Sequence, residues 1–347
     1  MAGDRRDSRR SPRVDALAGG PVLYPSGIRE ELVRLCETNA PTCVVYRAFD
    51  EMLTDRMVRD DLPEYWTEIE RSGVDVLSVS IGAWGERMFG LDAALCDLAQ
   101  WDQRFQEVPR LWRIEGPEDL HTTVRDSRTG ILLGFQNSDQ FEGDLGNVAL
   151  LAQRGIRMVQ LTYNGRNAAG SGCTERHDDG LTAFGRDLVR EPNDVGVIVD
   201  VSHCGVRTSM DAIELSSRPV AVSHAGCAAL CGHDRNKSDD LLRLLGERGG
   251  FFGVCAVPLF LCDDGQADVD DILRHIIHAL EVAGTHAVGI GSDWGVPNTP
   301  PQLLERLQGS AACQGFRPEH RFEFTARTSR SKGARHDTIT CRAPAAT

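Results

Sequence analysis

The sequence contains no run of 18 apolar residues, so it predicts no membrane-spanning helix and no membrane partner. It also lacks an excess of basic residues: 51 acidic and 38 basic side chains give a net charge of −13, which argues against nucleic acid as a partner. Cys-x-x-Cys pairs are absent, and the 11 cysteines are an odd number. No apolar segment follows the N-terminal arginines, so we expect reduced thiols and a cytoplasmic location.

The remaining composition is that of a globular protein. Hydrophobic residues make up 41% of the 347 residues and charged residues 26%, as in typical folded chains. Five arginines lie within the first 20 residues, and the chain from 326 onward is basic and poor in apolar side chains. We therefore predict a disordered basic tail over 1–25, one catalytic domain over 26–310, and an atypical, poorly ordered tail over 311–347.

Eight short runs rich in Val, Ile and Phe alternate with helical patterns. Several are almost continuously apolar, which is typical of strands buried on both faces of a parallel sheet. Repeated strand–helix alternation over about 250 residues predicts an α/β fold of the (β/α)8 TIM barrel type. An open doubly wound sheet is the alternative, but no Gly-x-Gly-x-x-Gly motif follows the first run. The predicted strands are 42–49, 74–82, 131–136, 156–164, 196–203, 219–224, 249–260 and 287–293.

Polar residues stand where these predicted strands end, and the carboxyl ends of barrel strands carry the functional residues. Two adjacent strands end in the same tripeptide, Val-Ser-His, which brings His203 and His224 close enough to bind one metal ion. Asp293 ends the eighth strand and Asp50 follows the first, so barrel closure would bring both into one cavity. The pattern predicts a metal-activated water with a carboxylate that moves protons.

Arg235 lies on the loop after the second of these histidine strands. There it could bind a substrate carboxylate through two hydrogen bonds, or pair with Asp239 or Asp240 at a helix start. A serine hydrolase is disfavoured, because neither Ser202 nor Ser223 lies in a Gly-x-Ser-x-Gly motif.

Several stretches resemble the membrane dipeptidase (renal dipeptidase) family of zinc peptidases: GIRMVQLTYNGRN, GLTAFGRDLVREPNDVGVIVDVSHCG, RPVAVSHAG, HDRNKSDD and HAVGIGSDWG. The resemblance implies a (β/α)8 barrel that hydrolyses dipeptides with two zinc ions. It also implies that His203 and His224 bind zinc, that Arg235 holds the substrate carboxylate, and that Asp293 is the catalytic acid and base.

The remaining site residues depart from the family pattern. Asp50 matches the last aspartate of the family's first-strand Asp-Gly-His-Asn-Asp motif, but Ala48 replaces its zinc-binding histidine. Gln136 replaces the glutamate that bridges the two zinc ions. Tyr163 replaces a histidine that contacts the tetrahedral intermediate, and we expect Tyr163 and the next residue, Asn164, to bind the substrate. A neutral amide is a poor bridge between two cations, so we expect one zinc ion, held by His203 and His224 with a carboxylate or a water molecule, or no tightly bound metal. Asp50 and Gln136 are the additional candidate ligands.

Two functions follow from this pattern. The first is metal-dependent hydrolysis of a dipeptide or dipeptide-like amide, with a small molecule as substrate and a homodimer as a possible assembly. The alternative is a non-hydrolytic or inactive descendant of the dipeptidase barrel, which acts as a binding protein or in different chemistry. The substitutions at Ala48, Gln136 and Tyr163 motivate this alternative.

Overall fold

A computed structural model describes residues 11–18, 24–38, 40–82, 89–293, 299–303, 323–328 and 337–342. Within this part of the chain, eight parallel strands form the wall of a barrel in the order β1-β2-β4-β5-β6-β7-β8-β9. A short additional strand, β3, is not part of this order and pairs in parallel with β4. The strands are Val14–Ala18, Val76–Ser80, Leu111–Arg113, Thr129–Phe135, Ile156–Gln160, Ile198–Asp200, Ala221–Ala225, Phe251–Val254 and Val288–Ile290 for β1 to β9. The prediction of a (β/α)8 barrel is confirmed.

Helices cover the outside of this barrel, and their apolar faces pack against the strands in one continuous core. Such packing buries the strands on both faces, which explains their nearly continuous apolar sequences. The helices are Ser26–Glu37, Thr42–Val58, Pro63–Ser72, Leu91–Glu107, Pro117–Asp126, Gly146–Gln153, Ala183–Val195, Val206–Leu215, Asp239–Glu247, Pro258–Leu261 and Val269–Ala283 for α1 to α11.

The first barrel strand is not the segment that the sequence pattern indicated. Residues 42–49 form the start of helix α2, so the prediction of a strand there is wrong. Pro41 precedes this helix, and its buried residues recur every four positions, which is the helical and not the strand period. These buried residues are Val45, Phe49, Leu53 and Met57.

Strand β1, Val14–Ala18, lies instead inside the segment 1–25 that we predicted to be a disordered tail. It pairs in parallel with β2, and its Asp15, Ala16 and Leu17 are buried. The other seven predicted strands are confirmed, and all of them except β4 are shorter than predicted. In the seventh run, 249–260, for example, the last residues belong to the short helix α10, Pro258–Leu261.

The barrel closes between β9 and β1. The backbone N–H of Asp293 donates to the carbonyl oxygen of Leu17 at 2.9 Å, and the backbone N–H of Ser292 donates to Asp15 Oδ1 at 2.8 Å. Closure thus joins two chain segments 277 residues apart and brings the two outer strands of the sheet together.

The region 311–347, which we expected to be poorly ordered, contains two described strands outside the barrel. Glu323–Thr328 (β10) and Asp337–Arg342 (β11) form an antiparallel pair. None of the helices that the structure describes combines the length and the apolar character needed to cross a membrane.

The position of Asp50 on helix α2, and not at the end of the first strand, can be tested by substitution. On α2 its carboxylate binds the buried guanidinium of Arg104 at 2.8 Å, so Asp50→Ala should lower the free energy of unfolding by about 1–3 kcal/mol. The matched control is Asp55→Ala, which breaks an exposed pair with Arg59 on the same helix and should cost less than about 1 kcal/mol. Urea denaturation measures both changes. Equal effects of the two substitutions would contradict a structural role of the Arg104 pair.

Candidate active site

The site lies at the carboxyl ends of the barrel strands and centres on two buried histidines. His203 comes three residues after β6, and His224 is on β7, which pairs with β6. Their Nε2 atoms face one another at 3.0 Å, as the repeated Val-Ser-His sequence predicted. The two tripeptides are therefore one structural unit.

The hydrogen bonds of the other ring nitrogens define the tautomers of both histidines. His203 Nδ1 donates to Asn164 Oδ1 at 2.7 Å. Ser223 Oγ donates its proton to Asp200 Oδ2 at 2.5 Å, so the same oxygen accepts from His224 Nδ1 at 2.8 Å. Each ring therefore carries its proton on Nδ1 and presents an Nε2 lone pair to the other ring.

Asp200, the last residue of β6, connects the two chain segments that carry the histidines. Its carboxylate accepts hydrogen bonds from the backbone N–H and the hydroxyl of Ser202 and from the same two groups of Ser223. The Ser202 hydroxyl oxygen in turn accepts from the backbone N–H of His224. One buried negative charge therefore fixes both Val-Ser-His tripeptides in place.

Two buried cations lie beside the histidines. Arg235 donates to the carbonyl oxygens of Ser202 and His224, and Lys237 Nζ donates to the carbonyl oxygen of Cys204 at 2.7 Å. Burial lowers the pKa of Lys237 to about 8. Arg235 Nε is buried and has no hydrogen-bond partner among the described residues, which leaves one N–H of the guanidinium for an additional acceptor.

Both histidines are neutral near pH 7. Burial comes first among the causes that hold the pKa of His203 and of His224 well below the ordinary value, and the positive charge of Arg235 comes second. Neutral imidazoles keep their Nε2 lone pairs available for a cation.

Asp293 lies one residue beyond Ser292 at the closure point of the barrel. Burial raises its pKa to about 7; the nearby charge of Arg235 opposes this increase, and that of Asp15 adds to it. A carboxyl group with a pKa near neutrality can both accept and return a proton at pH 7.

Three further predicted residues gather around the histidines. Gln136 follows β4, and its side-chain nitrogen lies 3.4 Å from His224 Nε2. Tyr163 stacks on the His203 ring with centroids 4.1 Å apart, and Asn164 holds His203 Nδ1. Phe89 packs on the other side of Tyr163, at 5.1 Å between ring centroids, so the position beside His203 is aromatic.

Asp50 does not join this group, because it lies on helix α2 and binds Arg104. The strand that occupies the first position is β1, and its sequence from 14 to 19 is VDALAG. When the initial aspartate of the family's first-strand motif is aligned with Asp15, Leu17 and Gly19 stand at its two zinc-binding positions. This alignment replaces our earlier match of the motif to 46–50.

The donor set fits one metal ion and not two. Two neutral imidazole lone pairs that face each other at 3.0 Å repel unless a cation lies between them. In addition, the Nδ1–H of His224 is held through Ser223 by the Asp200 carboxylate, and zinc-binding histidines commonly have such hydrogen-bonded support. Within the described ranges, however, no group of three or more His, Cys, Asp or Glu side chains could hold a metal. Among the described residues, the carboxylate ligands of a dinuclear centre are therefore missing.

The fold and this strand-end site define a barrel of the metallo-dependent hydrolase type, and comparison with known proteins agrees. A family model described as membrane dipeptidase (peptidase family M19) matches residues 61–308. The chain belongs to this family, which confirms the resemblance drawn from the sequence.

Individual relatives show how far the likeness extends. An uncharacterized dipeptidase from Schizosaccharomyces pombe is 35% identical over 198 residues, which cover 55% of this chain and 48% of the relative; the match thus spans about half of the relative's length. The crystal structure of an amidohydrolase from Pseudomonas aeruginosa is 28% identical with a TM-score of 0.63, over 82% of this chain and 74% of that one.

A third relative shares the fold. It is a metallo peptidase from Rhodobacter sphaeroides, solved with a phosphinate mimic of the dipeptide L-Ala-D-Ala. Its identity is 18% and its TM-score 0.62, over 86% of this chain and 91% of that one.

Sequence reasoning missed two residues that organise the site. Asp200 and Lys237 both lie within motifs that were singled out, GVIVDVSH and HDRNKSDD, but only the histidines and the arginine were given roles. An acid inside an otherwise apolar strand is the signal that could have identified Asp200, because a buried carboxylate needs several donors.

Asp200→Asn tests the hydrogen-bond hub. The substitution keeps the shape but removes the negative charge that four donors share, so we expect a loss of about 2–4 kcal/mol in the free energy of unfolding. Nitrogen-15 NMR of the imidazoles should also show that His224 loses its preference for the Nδ1–H tautomer. Asp187→Asn, at an exposed position, is the control. An unchanged His224 spectrum in folded Asp200→Asn would contradict the relay.

Proposed function

We propose that this protein hydrolyses a small dipeptide or dipeptide-like amide with the help of one zinc ion held by His203 and His224. The observation that carries the proposal is the pair of Nε2 lone pairs directed at each other by Asn164 and by the Ser223–Asp200 relay. When bound, zinc would supply Lewis acidity and lower the pKa of a water molecule. Gln136, next to His224, offers a neutral amide as a third, weaker ligand.

Arg235 supports the choice of a substrate with a free carboxylate. Two of its nitrogens already bind carbonyl oxygens of the histidine segments, so the guanidinium cannot turn as a free clamp. Its unpartnered Nε–H and the second hydrogens of its Nη atoms remain for one carboxylate oxygen or two. Binding there would place the substrate's carboxylate next to the histidine pair and relieve a buried, unsatisfied donor.

Asp293 would move the protons. With a pKa near 7 its carboxylate accepts a proton from the attacking water and returns it to the leaving amine. Tyr163, stacked on His203, replaces a family histidine with a phenol that can donate a hydrogen bond to the developing oxyanion. Asn164 keeps His203 in the tautomer that the site requires.

The same substitutions favour a second candidate, a non-hydrolytic descendant that binds a related ligand. Leu17, Gln136 and Tyr163 remove charged or imidazole groups from the positions that the family uses for its second zinc and for the intermediate. A ligand that binds without zinc and without turnover would support this candidate over hydrolysis.

Metal content and turnover test the first proposal together. We expect about one zinc ion per chain by elemental analysis, hydrolysis of members of a dipeptide panel, and a loss of at least about 100-fold in kcat/KM for both His203→Ala and His224→Ala. His286→Ala, at an exposed histidine, should retain both zinc and activity. Two zinc ions per chain would contradict the single-metal site, and equal rates in His203→Ala and the wild type would contradict the histidine pair.

The pH dependence tests Asp293. Because the ionised carboxylate is the base, kcat/KM should fall about tenfold per pH unit as the pH drops below about 7. Asp293→Asn should lose about 10²–10⁴ in kcat and remove this limb of the profile. Stability has the opposite trend: folding favours the protonated carboxyl, so the native state loses stability as the pH rises from about 4 through 7. Asp293→Asn should therefore raise Tm at pH 8 more than at pH 5. An acid limb near pH 4 in the wild type would oppose this role.

A further inference from the structure

Asp15 occupies the contact that closes the barrel beside Asp293. It is buried in β1, and its carboxylate accepts three hydrogen bonds: from the backbone N–H of Leu17 at 3.2 Å, from the backbone N–H of Ser292 at 2.8 Å, and from the Ser292 hydroxyl at 2.5 Å. All three partners donate, so the contacts favour the ionised carboxylate, whereas burial has the larger effect and raises the pKa of Asp15 above its ordinary value. Two of them hold the residue that immediately precedes Asp293.

The backbone of Asp293 needs this support. Its φ is +47°, in the left-handed region that side chains other than glycine avoid. Neighbouring contacts must therefore determine this conformation. The backbone N–H of Asp293 is bound to the carbonyl oxygen of Leu17, and the preceding residue, Ser292, is bound to Asp15. Both contacts come from β1.

The charge of Asp15 also reaches the Asp293 carboxyl. Among the described residues, the ionisable groups that act on Asp293 or respond to it are Arg235 from the loop after β7, Asp15 from β1, and Cys255 directly after β8. Arg235 favours the carboxylate of Asp293, whereas Asp15 opposes it. The two charges, one on a loop and one on a strand, thus act on the same carboxyl with opposite signs.

We propose that Asp15 is a positioning residue for Asp293: it holds Ser292 and thereby orients Asp293, and its own negative charge acts on the Asp293 carboxyl. This role rests on the proposed function, in which Asp293 is the acid and base. It also assigns a use to the first strand, where Leu17 stands at a metal-binding position of the family. The strand then serves the proton-transfer residue and not the metal.

The test compares Asp15→Asn with Asp75→Asn. The asparagine at 15 keeps an oxygen acceptor for Ser292 but removes the charge. Asp75 is another buried aspartate, just before β2, that accepts the backbone N–H of Arg13 at 2.8 Å, at the opposite end of the strand from the site. The readout is carbon-13 NMR of labelled aspartate carboxyl groups against pH, with the Asp293 signal assigned by its loss in Asp293→Asn.

We expect the wild-type Asp293 signal to titrate near pH 7, and Asp15→Asn to lower this midpoint by roughly half a unit or more. Asp75→Asn should leave it unchanged. Ser292→Ala, which removes the hydroxyl contact but keeps the charge of Asp15, should stay close to the wild-type midpoint. A midpoint in folded Asp15→Asn equal to that of the wild type would overturn the proposal, as would a fall in Ser292→Ala as large as in Asp15→Asn.

A kinetic measurement accompanies the titration. The acid limb of kcat/KM should move to lower pH in Asp15→Asn by the same amount as the Asp293 midpoint, with a fall in kcat that Asp75→Asn does not share. The titration needs no substrate. A protein that cleaves no dipeptide but shows the Asp293 shift would therefore refute the proposed hydrolysis and still support the link between Asp15 and Asp293.

Discussion

The carboxylate of Asp200 is the interaction on which the site depends. A buried negative charge without partners costs several kcal/mol, and here four donors from two adjacent strands share that charge. The same contacts define the rotamers of Ser202 and Ser223, and through Ser223 the tautomer of His224. The tripeptide Val-Ser-His is thus repeated for one structural reason. Both serines must bind the same carboxylate to bring the two histidines together.

Two buried cations, Arg235 and Lys237, lie beside the two neutral histidines. Their hydrogen-bond acceptors are backbone carbonyl oxygens, and the acids that act on them are Asp200, on Lys237, and Asp293, which responds to Arg235 and has a pKa of about 7. While Asp293 is protonated, a carboxylate ligand would supply Arg235 with a negative charge where solvent cannot.

The sequence was most informative where local pattern and tertiary structure agree. Most residues of strands β4 to β8 are buried, and the apolar runs there and in β9, with the polar residues at their ends, identified His203, His224, Gln136 and Asp293 correctly as strand-end residues. It failed at α2, where β-branched residues suggested a strand although the four-residue spacing from Val45 to Met57 is helical. It also failed at β1, whose five residues follow an arginine-rich segment. Burial of β1 comes from contacts with β2 and with Ser292, which no local pattern records.

Closure of the barrel by β1 has a consequence for the order of folding. The strand precedes the rest of the barrel along the chain and is synthesised before it, yet its partner Ser292 follows 277 residues later. Contacts of such long sequence separation form late, because the loop entropy must be overcome before they contribute. The nascent chain would therefore pass through an open sheet with two free edges. Strand β1 pairs with β2 as soon as both have emerged, but one of its edges stays unpaired until β9 arrives. Asp15 on β1 would give this unpaired edge a negative charge, and charged side chains on edge strands oppose pairing with other molecules.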